Sequence, residues 1–158
     1  MISTGDGRVS LEHLLTITIQ PDPFSMLGDF PLGERRMVTL GAGRFEGRDG
    51  LRGTLAPGGT DWQVVRRDGV IEIDAHYLLL TDEGEPIEVR STGVRVVSAD
   101  VADRQARGER VDPAEYYFRT HITLRTSSTR WDRLNRIIAV SSGERIPGEV
   151  VVHVFEVR

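Results

Sequence analysis

Short apolar runs separated by glycines are the feature that most limits the fold of this sequence. Within the runs, apolar and polar residues alternate with a period of two, and 17 glycines punctuate the chain. This period is typical of strands with one buried face, whereas amphipathic helices repeat about every 3.6 residues. Glycine between the runs supplies the turns. The pattern predicts an all-β protein.

Many runs have strand character, and only two stretches look helical. The helical candidates are 100–107 and 129–136, and residues 20–32 are predicted to form a loop that could lie across a barrel mouth. Closing a sheet into a barrel removes its free edges and makes room for a ligand. We therefore predict a single antiparallel β-barrel of about nine or ten strands. The strand-like runs are 10–19, 36–40, 43–46, 51–55, 61–67, 70–81, 86–97, 116–126, 136–141 and 149–157.

Length and charge limit the organisation and the partners. The 158 residues suit one domain, with 1–9 expected to be a flexible N-terminus. A formal charge of −4 argues against a nucleic-acid partner, which favours a basic surface. We see no apolar stretch long enough for a membrane helix and no apolar signal segment at the start. We expect a cytoplasmic protein with no membrane partner.

The chain contains no cysteine, and all 20 of its basic residues are arginine. These absences exclude thiolate chemistry, disulfides and lysine Schiff bases. The four histidines, His13, His76, His121 and His153, lie in separate strand-like runs without metal-ligand spacing. We therefore predict no metal and no cofactor, which leaves carboxylates, tyrosines, hydroxyls and arginines for any chemistry.

Two turns predict which side chains share a face of the sheet. If Asp68-Gly69 and Glu83-Gly84 are two-residue hairpin loops, Asp61 lies opposite His76 and Gln63 lies opposite Asp74. A slip of one residue would exchange the faces. The predicted apolar face is Trp62, Val64, Ile71, Ile73, Ala75, Tyr77, Leu79, Val94 and Val96. The predicted polar face is Asp61, Gln63, Glu72, Asp74, His76, Ser91 and Arg95.

The polar face has two interpretations. It is either a solvated outer surface, which is ordinary for antiparallel sheets, or the lining of a cavity in which Asp61 and Asp74 exchange protons. In this register Trp62 and Tyr77 lie on the face opposite Asp74, so both sets cannot line one cavity. Gly93, opposite Asp74, either leaves room beside the carboxylate or marks a β-bulge.

The segment 115–121 is chemically dense. On a strand, Glu115, Tyr117, Arg119 and His121 share one side, with Tyr116, Phe118 and Ile122 on the other. The Tyr117 phenol and the Arg119 guanidinium suit an anionic or carbonyl oxygen. They would suit an exposed ion-pair strip equally well.

Several short motifs follow one another along nearly the whole chain: 11–14, 45–47, 58–62, 74–77, 93–94, 115–120, Trp131 and 134–135. Together they resemble the family of uncharacterised proteins catalogued as domain of unknown function 3237. The resemblance implies a small antiparallel barrel similar in outline to calycin-type ligand barrels, and it implies no established catalytic residues. The family motif more often has arginine at the position of His76. Positions that match its signature are Asp61, Trp62, Asp74, Tyr77, Tyr117, Arg119 and Asn135.

We predict a small-molecule-binding barrel that works as a cofactor-independent acid–base enzyme on a small organic acid or carbonyl compound, such as an isomerase, cyclase, dehydratase or lyase. The alternatives are a non-catalytic ligand carrier and an oligomerisation module in which the apolar strand face of 149–157 pairs with another subunit, which would make the protein a homo-oligomer. The candidate catalytic residues are Asp61, Asp74 and Tyr117. The candidate ligand-binding residues are Trp62, Gln63, His76, Tyr77, Arg90, Arg119 and Asn135.

Overall fold

A computed structural model describes residues 7–158, which form ten strands and one α-helix. The expected flexible terminus at 1–9 lies mostly outside these residues. The helix α1 spans Ala99–Ala106, and single 3₁₀ segments span Arg48–Gly50, Pro113–Glu115 and Asp132–Arg136. The strands are β1 (Leu11–Pro21), β2 (Ser25–Phe30), β3 (Gly33–Gly47), β4 (Arg52–Leu55), β5 (Gly59–Val65), β6 (Ile71–Thr81), β7 (Pro86–Val96), β8 (Tyr117–Thr126), β9 (Ile138–Ile146) and β10 (Glu149–Val157).

Eight strands close into an antiparallel barrel, which confirms the predicted fold class. The order around the ring is β1, β10, β9, β8, β7, β6, β5 and β3, and β3 pairs back with β1. Two strands lie outside this ring: β2 pairs with β3, and β4 continues the line of β5 between β3 and β6. No helix within residues 7–158 is long and apolar enough to cross a membrane.

The element boundaries differ from the prediction in a few places. The separate runs 36–40 and 43–46 are one strand, β3, and the predicted loop 20–32 contains β2. The helix predicted at 100–107 is present as α1, where the Ser98 side chain caps the first turn by accepting from the Val101 N–H. The helix predicted at 129–136 is only a 3₁₀ segment.

The strand β10 lies inside the ring. It pairs with β1 along one edge and with β9 along the other, so both edges are used within the chain. A strand without a free edge cannot add a neighbouring subunit by backbone pairing. The predicted contact of 149–157 with another subunit was through the apolar face of the strand, which this edge pairing does not test, so a homo-oligomer stays a prediction.

The predicted register of both central hairpins is wrong by one residue. Arg66 is bonded to Val70 and Thr81 to Glu85, so each turn has three residues in its loop rather than two. Gly69 and Gly84, at φ +86° and +82°, take the left-handed position that three-residue loops require. Asp61 consequently lies opposite Ala75, and not opposite His76.

Because of this shift of one residue, side chains predicted for one face of the sheet lie on the other face. Asp61 and Gln63 join Ile73, Ala75 and Tyr77 on the inside of the barrel, where all five are buried. The Trp62 side chain moves to the outside and is 42% exposed. In the second hairpin Ser91 now pairs with Ala75 and Arg95 with Ile71, so Ser91 and Arg95 also face inward.

One end of the barrel interior is solid and the other is hollow. Leu15, Ile17, Leu79, Ile87 and Val154 are fully buried and form the solid end. Below them a buried carboxylate, Glu156, is held by arginines from the 3₁₀ segments Arg48–Gly50 and Asp132–Arg136. The remaining inward positions, toward α1 and the start of β2, enclose a cavity.

Candidate functional site

The cavity has a volume of about 400 Å³ and lies inside the hollow end of the barrel. Most of its wall is apolar, and a few polar groups converge on it, as in ligand-binding pockets generally. The segment between β1 and β2 contributes Asp22, Pro23 and Phe24, so part of the predicted mouth loop does border the cavity. The apolar wall includes Ile19, Val38, Leu40, Ile73, Phe118 and Val152, and the polar wall includes Asp61, Gln63, Tyr77, Ser91, Arg95, Thr120, Ser141 and Arg145.

Asp61 is a buried carboxylate that its neighbours hold in place. Its Oδ2 accepts a hydrogen bond from Gln63 Nε2 at 2.7 Å, and its Oδ1 accepts one from the Asp74 backbone N–H at 3.1 Å. Burial raises the pKa of the Asp61 carboxyl above 3.8, while these two hydrogen bonds oppose the rise. A carboxyl with this environment is suited to take up and return a proton.

Tyr77 places a phenol without a partner in the same wall. It is 5% exposed, and its hydroxyl has no hydrogen-bond partner among the described residues. Burial, followed by the nearby charge of Asp61, raises the pKa of the Tyr77 hydroxyl, which therefore keeps its proton. Gly59 makes room for this side chain, since a Cβ there would lie 2.6 Å from Tyr77 Cβ. The phenol is a donor available to a ligand oxygen.

A row of three hydroxyls crosses the opposite wall. Ser91 Oγ donates to Thr120 Oγ1 at 2.8 Å, and Thr120 Oγ1 lies 2.5 Å from Ser141 Oγ. All three residues are buried and line the cavity. Because β7, β8 and β9 are adjacent, one inward position on each strand is enough to build this row. These groups give the cavity a polar stripe beside its apolar wall.

Two arginines lie at the end of the cavity nearest α1. Arg95 is 8% exposed, and its Nη2 donates to Gln105 Oε1 of α1 at 2.5 Å. Burial, followed by the charge of Arg145, lowers the pKa of Arg95 to about 10, so it remains a cation at neutral pH. Within residues 7–158 neither Arg95 nor Arg145 forms an ion pair with a carboxylate.

The structure brings together only part of the predicted site. Asp61, Gln63 and Tyr77 line the cavity. Asp74, the second predicted carboxylate, lies on the outer face, where Arg90 Nη2 is 3.1 Å from its Oδ1. His76 also lies outside and pairs with Glu88 at 3.2 Å. The two carboxylates therefore do not share a cavity.

The other predicted residues lie on the outside as well. Tyr117 is 51% exposed and contacts the Arg119 guanidinium 5.3 Å from its ring centre, while Arg119 Nη1 also donates to Ser142 Oγ. Tyr117 and Arg119 therefore form an exposed strip, which was the second interpretation of segment 115–121, and do not line the cavity. Asn135 binds the Thr126 backbone through both atoms of its amide, which anchors the 3₁₀ segment to β8. Trp62 points outward from β5.

Several cavity residues were not singled out from the sequence. Arg145 and Ser141 lie in none of the motifs, and Thr120 lies in motif 115–120 but was not proposed as a site residue; only their alternation with buried apolar neighbours marks them as inward. The glycine at the third loop position of both hairpins is the signal that could have given the correct register. Gly93 neither leaves room beside Asp74 nor marks a β-bulge. It lies opposite Ile73, and a Cβ there would be 2.1 Å from the Arg119 carbonyl oxygen.

The described residues contain no cluster of three or more histidine, aspartate or glutamate side chains able to hold a metal ion. The polar groups of the cavity are instead the carboxylates of Asp61, Asp22 and Glu149, an amide, a phenol, three hydroxyls and two guanidinium groups. Such a set can bind oxygen atoms of a ligand and move protons.

Known proteins resemble this chain over nearly its whole length. A conserved protein of unknown function from Rhodopseudomonas palustris has a crystal structure that matches with a TM-score of 0.89 and 30% identity, covering 96% of this chain and 99% of that one. A β-barrel-like protein from Acinetobacter baumannii matches with a TM-score of 0.82 and 33% identity, covering 99% and 100%. An enzyme from Penicillium herquei shares the fold alone, at 20% identity and a TM-score of 0.71 over 99% and 100%.

The sequence comparisons agree with the structural ones. A UPF0311 protein from Clostridium acetobutylicum is 32% identical over 155 residues, which cover 98% of each chain. The family model described as "Protein of unknown function (DUF3237)" matches residues 9–157. This range includes every strand of the barrel and every residue of the cavity wall named above. The chain therefore belongs to the family described as Protein of unknown function (DUF3237).

Proposed function

We propose that the protein is an acid–base enzyme that binds a small, largely apolar carbonyl compound inside the barrel, with Asp61 as its proton-transfer group. The observation that carries this proposal is the buried Asp61 carboxylate on the cavity wall, beside the unpartnered Tyr77 hydroxyl. A raised pKa makes the Asp61 carboxylate a stronger base than an exposed aspartate.

In the proposed reaction Asp61 removes a proton from the carbon next to the carbonyl group. The electron pair of the broken C–H bond forms a C=C bond, and the carbonyl oxygen takes the negative charge. Tyr77 donates a hydrogen bond to that oxygen, in the manner of an oxyanion hole. Return of a proton from Asp61 to the same carbon is observed as hydrogen exchange. Where the ligand has a C=C bond beyond that carbon, return of the proton to the far end of that bond moves the double bond and gives an isomer. Either step regenerates the carboxylate. The chemistry requires only protons.

The apolar wall supports the choice of substrate. Ile19, Val38, Ile73 and Phe118 would hold the carbon skeleton of the ligand, because burial of apolar surface is the main source of affinity in such cavities. Gly143 allows this arrangement, since a Cβ there would lie 2.5 Å from the Phe118 ring. The Penicillium herquei enzyme supports only the compatibility of this fold with catalysis.

The test is the exchange of the acidic C–H protons of phenylacetone for deuterium in D₂O, followed by proton NMR. General acid–base catalysis typically contributes about 10²- to 10⁴-fold, so we expect the protein to exceed the buffer rate and Asp61→Asn to lose at least about 100-fold. Asp74→Asn changes the predicted carboxylate that lies outside and should keep most of the activity. Exchange at the buffer rate, or equal rates for wild type and Asp61→Asn, would contradict the proposal.

The carrier alternative makes a different prediction for the same variant. A non-catalytic barrel would bind phenylacetone with similar affinity in the wild type and in Asp61→Asn, and neither protein would exchange protons. Measuring binding and exchange on the same samples therefore separates the two functions.

A further inference from the structure

The end of the cavity nearest α1 concentrates positive charge that the described residues do not neutralise. Arg95 and Arg145 both line the cavity, and Arg36 of β3 acts on the same region. The charge of Arg145 contributes to the lowered pKa of Arg95, and the charge of Arg36 contributes to that of Arg145, so the three cations repel one another. Burying like charges side by side is unfavourable unless an anion compensates them.

The ion pairs of the described residues do not supply that anion. Arg36 lies 3.7 Å from a half-exposed Glu34, and neither Arg95 nor Arg145 has a carboxylate within salt-bridge distance. Glu149 lines the same cavity, but its recorded ion pair is with Arg44 at 3.9 Å. Among the described residues, the Nε atoms of Arg36 and Arg95 are buried without a hydrogen-bond partner. A buried donor of this kind needs an acceptor from a ligand or an ordered water.

The fold holds Arg95 in place. Its Nη2 is bound to Gln105 Oε1 on α1, and Arg95 lies between Ile71 of β6 and Phe118 of β8. The Tyr116 hydroxyl accepts from the Arg145 backbone N–H at 3.0 Å, which ties β9 to the start of β8. A guanidinium held in this way loses little freedom on binding, which favours recognition of a flat anion by paired N–H groups.

We propose that Arg95 and Arg145 form an anion subsite that binds the carboxylate of an otherwise apolar ligand. The inference deepens the proposed function and rests on it, because it names the charged end of the substrate. Arg95 and Arg145 each lie four residues along their strands from Ser91 and Ser141 of the hydroxyl row, about 13 Å between Cα atoms at about 3.3 Å per residue. Ser91 pairs with Ala75, which pairs with Asp61, so the two arginines and the proposed proton-transfer group lie at different levels of the barrel. The carboxylate of the ligand is therefore a group distinct from its reacting carbonyl.

The test compares two probes of equal shape, 2-naphthoate and the uncharged 2-naphthamide. Each displaces N-phenyl-1-naphthylamine, whose fluorescence rises in apolar cavities, from the full-length protein. We expect the wild type to bind 2-naphthoate at least about tenfold more tightly than 2-naphthamide, because hydrogen bonds from guanidinium to carboxylate are about twice as strong as neutral ones. Equal affinities, or no displacement by either probe, would overturn the proposal.

Arg95→Met and Arg145→Met keep the unbranched apolar part of the side chain and remove its charge. Each should abolish most of the preference for 2-naphthoate while the affinity for 2-naphthamide changes less than about threefold. Arg125→Met, which removes an exposed arginine on the outside of β8, should leave the preference unchanged. Circular dichroism shows whether each variant folds. If one of the two arginine variants does not fold, the probe affinities of the other variant decide the test. A preference that survives the loss of charge would overturn the proposal.

The variant Asp61→Asn separates this inference from the proposed function. It should retain the preference for 2-naphthoate even though it loses proton exchange. If wild type and Asp61→Asn exchange protons equally while the preference depends on Arg95 or Arg145, the catalytic proposal fails and the anion subsite stands as the head-group site of a carrier. If exchange depends on Asp61 but wild type binds both probes equally, only the anion subsite fails.

Discussion

At the scale of single residues, the environment of Asp61 lowers the stability of the folded protein but suits proton transfer. The carboxyl is buried, and only two hydrogen bonds, from Gln63 and from the Asp74 backbone, stabilise its charged form. An ionised group in this position costs free energy that a neutral one does not. Residues kept despite such a cost are commonly functional.

This cost predicts that Asp61→Asn stabilises the protein at neutral pH. The folded-state pKa of Asp61 is raised above 3.8, so the folded protein holds the proton more tightly than the unfolded chain, and wild-type stability falls as the pH rises through that interval. Well below pH 3.8 the carboxyl is neutral in both states, and this advantage of the variant disappears. Melting temperatures of both proteins from about pH 3 to about pH 8 check this, and a variant less stable at pH 7 would contradict it.

At the scale of elements, the strands were predictable and their pairing was not. The period of two identified nearly every strand, since it depends only on local burial of one face. The register depends on one residue in each turn, and Asp68-Gly69 is compatible with a loop of two or of three residues. The correct count moved Asp61 and Gln63 inside and left Asp74 and His76 outside.

Gly84 is predicted to be required for the second hairpin. Its φ of +82° is left-handed, and a Cβ there would meet no atom within 4 Å, so the cost of Gly84→Ala is conformational and not steric. A residue other than glycine in this region costs about 1–2 kcal/mol, which urea unfolding can measure. Asn tolerates this conformation, so Gly84→Asn should cost less than Gly84→Ala. Equal stability of Gly84→Ala and the wild type would contradict the three-residue loop.

At the scale of the whole molecule, an ion network closes the solid end of the barrel. Glu156 of β10 is 5% exposed and accepts from Arg48 at 2.8 Å and from Arg133. Burial alone would raise its pKa, but the hydrogen bonds from Arg133 and Arg48 outweigh burial and lower the pKa of Glu156 to about 2. The network joins β10 to the 3₁₀ segments Arg48–Gly50 and Asp132–Arg136 beneath the core.

Loss of this carboxylate is predicted to destabilise the barrel in a pH-dependent way. Glu156→Gln should lower the free energy of unfolding by about 2 kcal/mol at pH 7, because it removes the charge partner of Arg48 and of the half-exposed Arg133. A lowered pKa contributes stability above the unfolded value of 4.5, and this is lost as the pH falls toward about 2, so the two proteins should converge there. Glu88→Gln, in an exposed pair with His76, should cost at most about 1 kcal/mol.

Only part of the candidate site was predictable, for a physical reason. Asp61, Gln63 and Tyr77 were identified from hairpin position and from resemblance to the family. Arg95, Arg145 and the hydroxyl row come together only when β7, β8 and β9 are paired. Arg119 and Tyr117 have suitable chemistry, but they occupy outward positions on β8. Residue type suggests chemistry, whereas the parity of strand positions decides which residues reach the interior.

The central claim is that ligands bind inside the barrel, between its arginine end and Asp61. Carbon-13 methyl NMR during a titration with 2-naphthoate tests it most directly. We expect saturable shifts of the methyl groups of Ile19, Val38 and Ile73, which line the cavity, and no shift for the exposed Leu78 and Ile138. Shifts confined to the exposed methyl groups, or none at any methyl group, would contradict the claim.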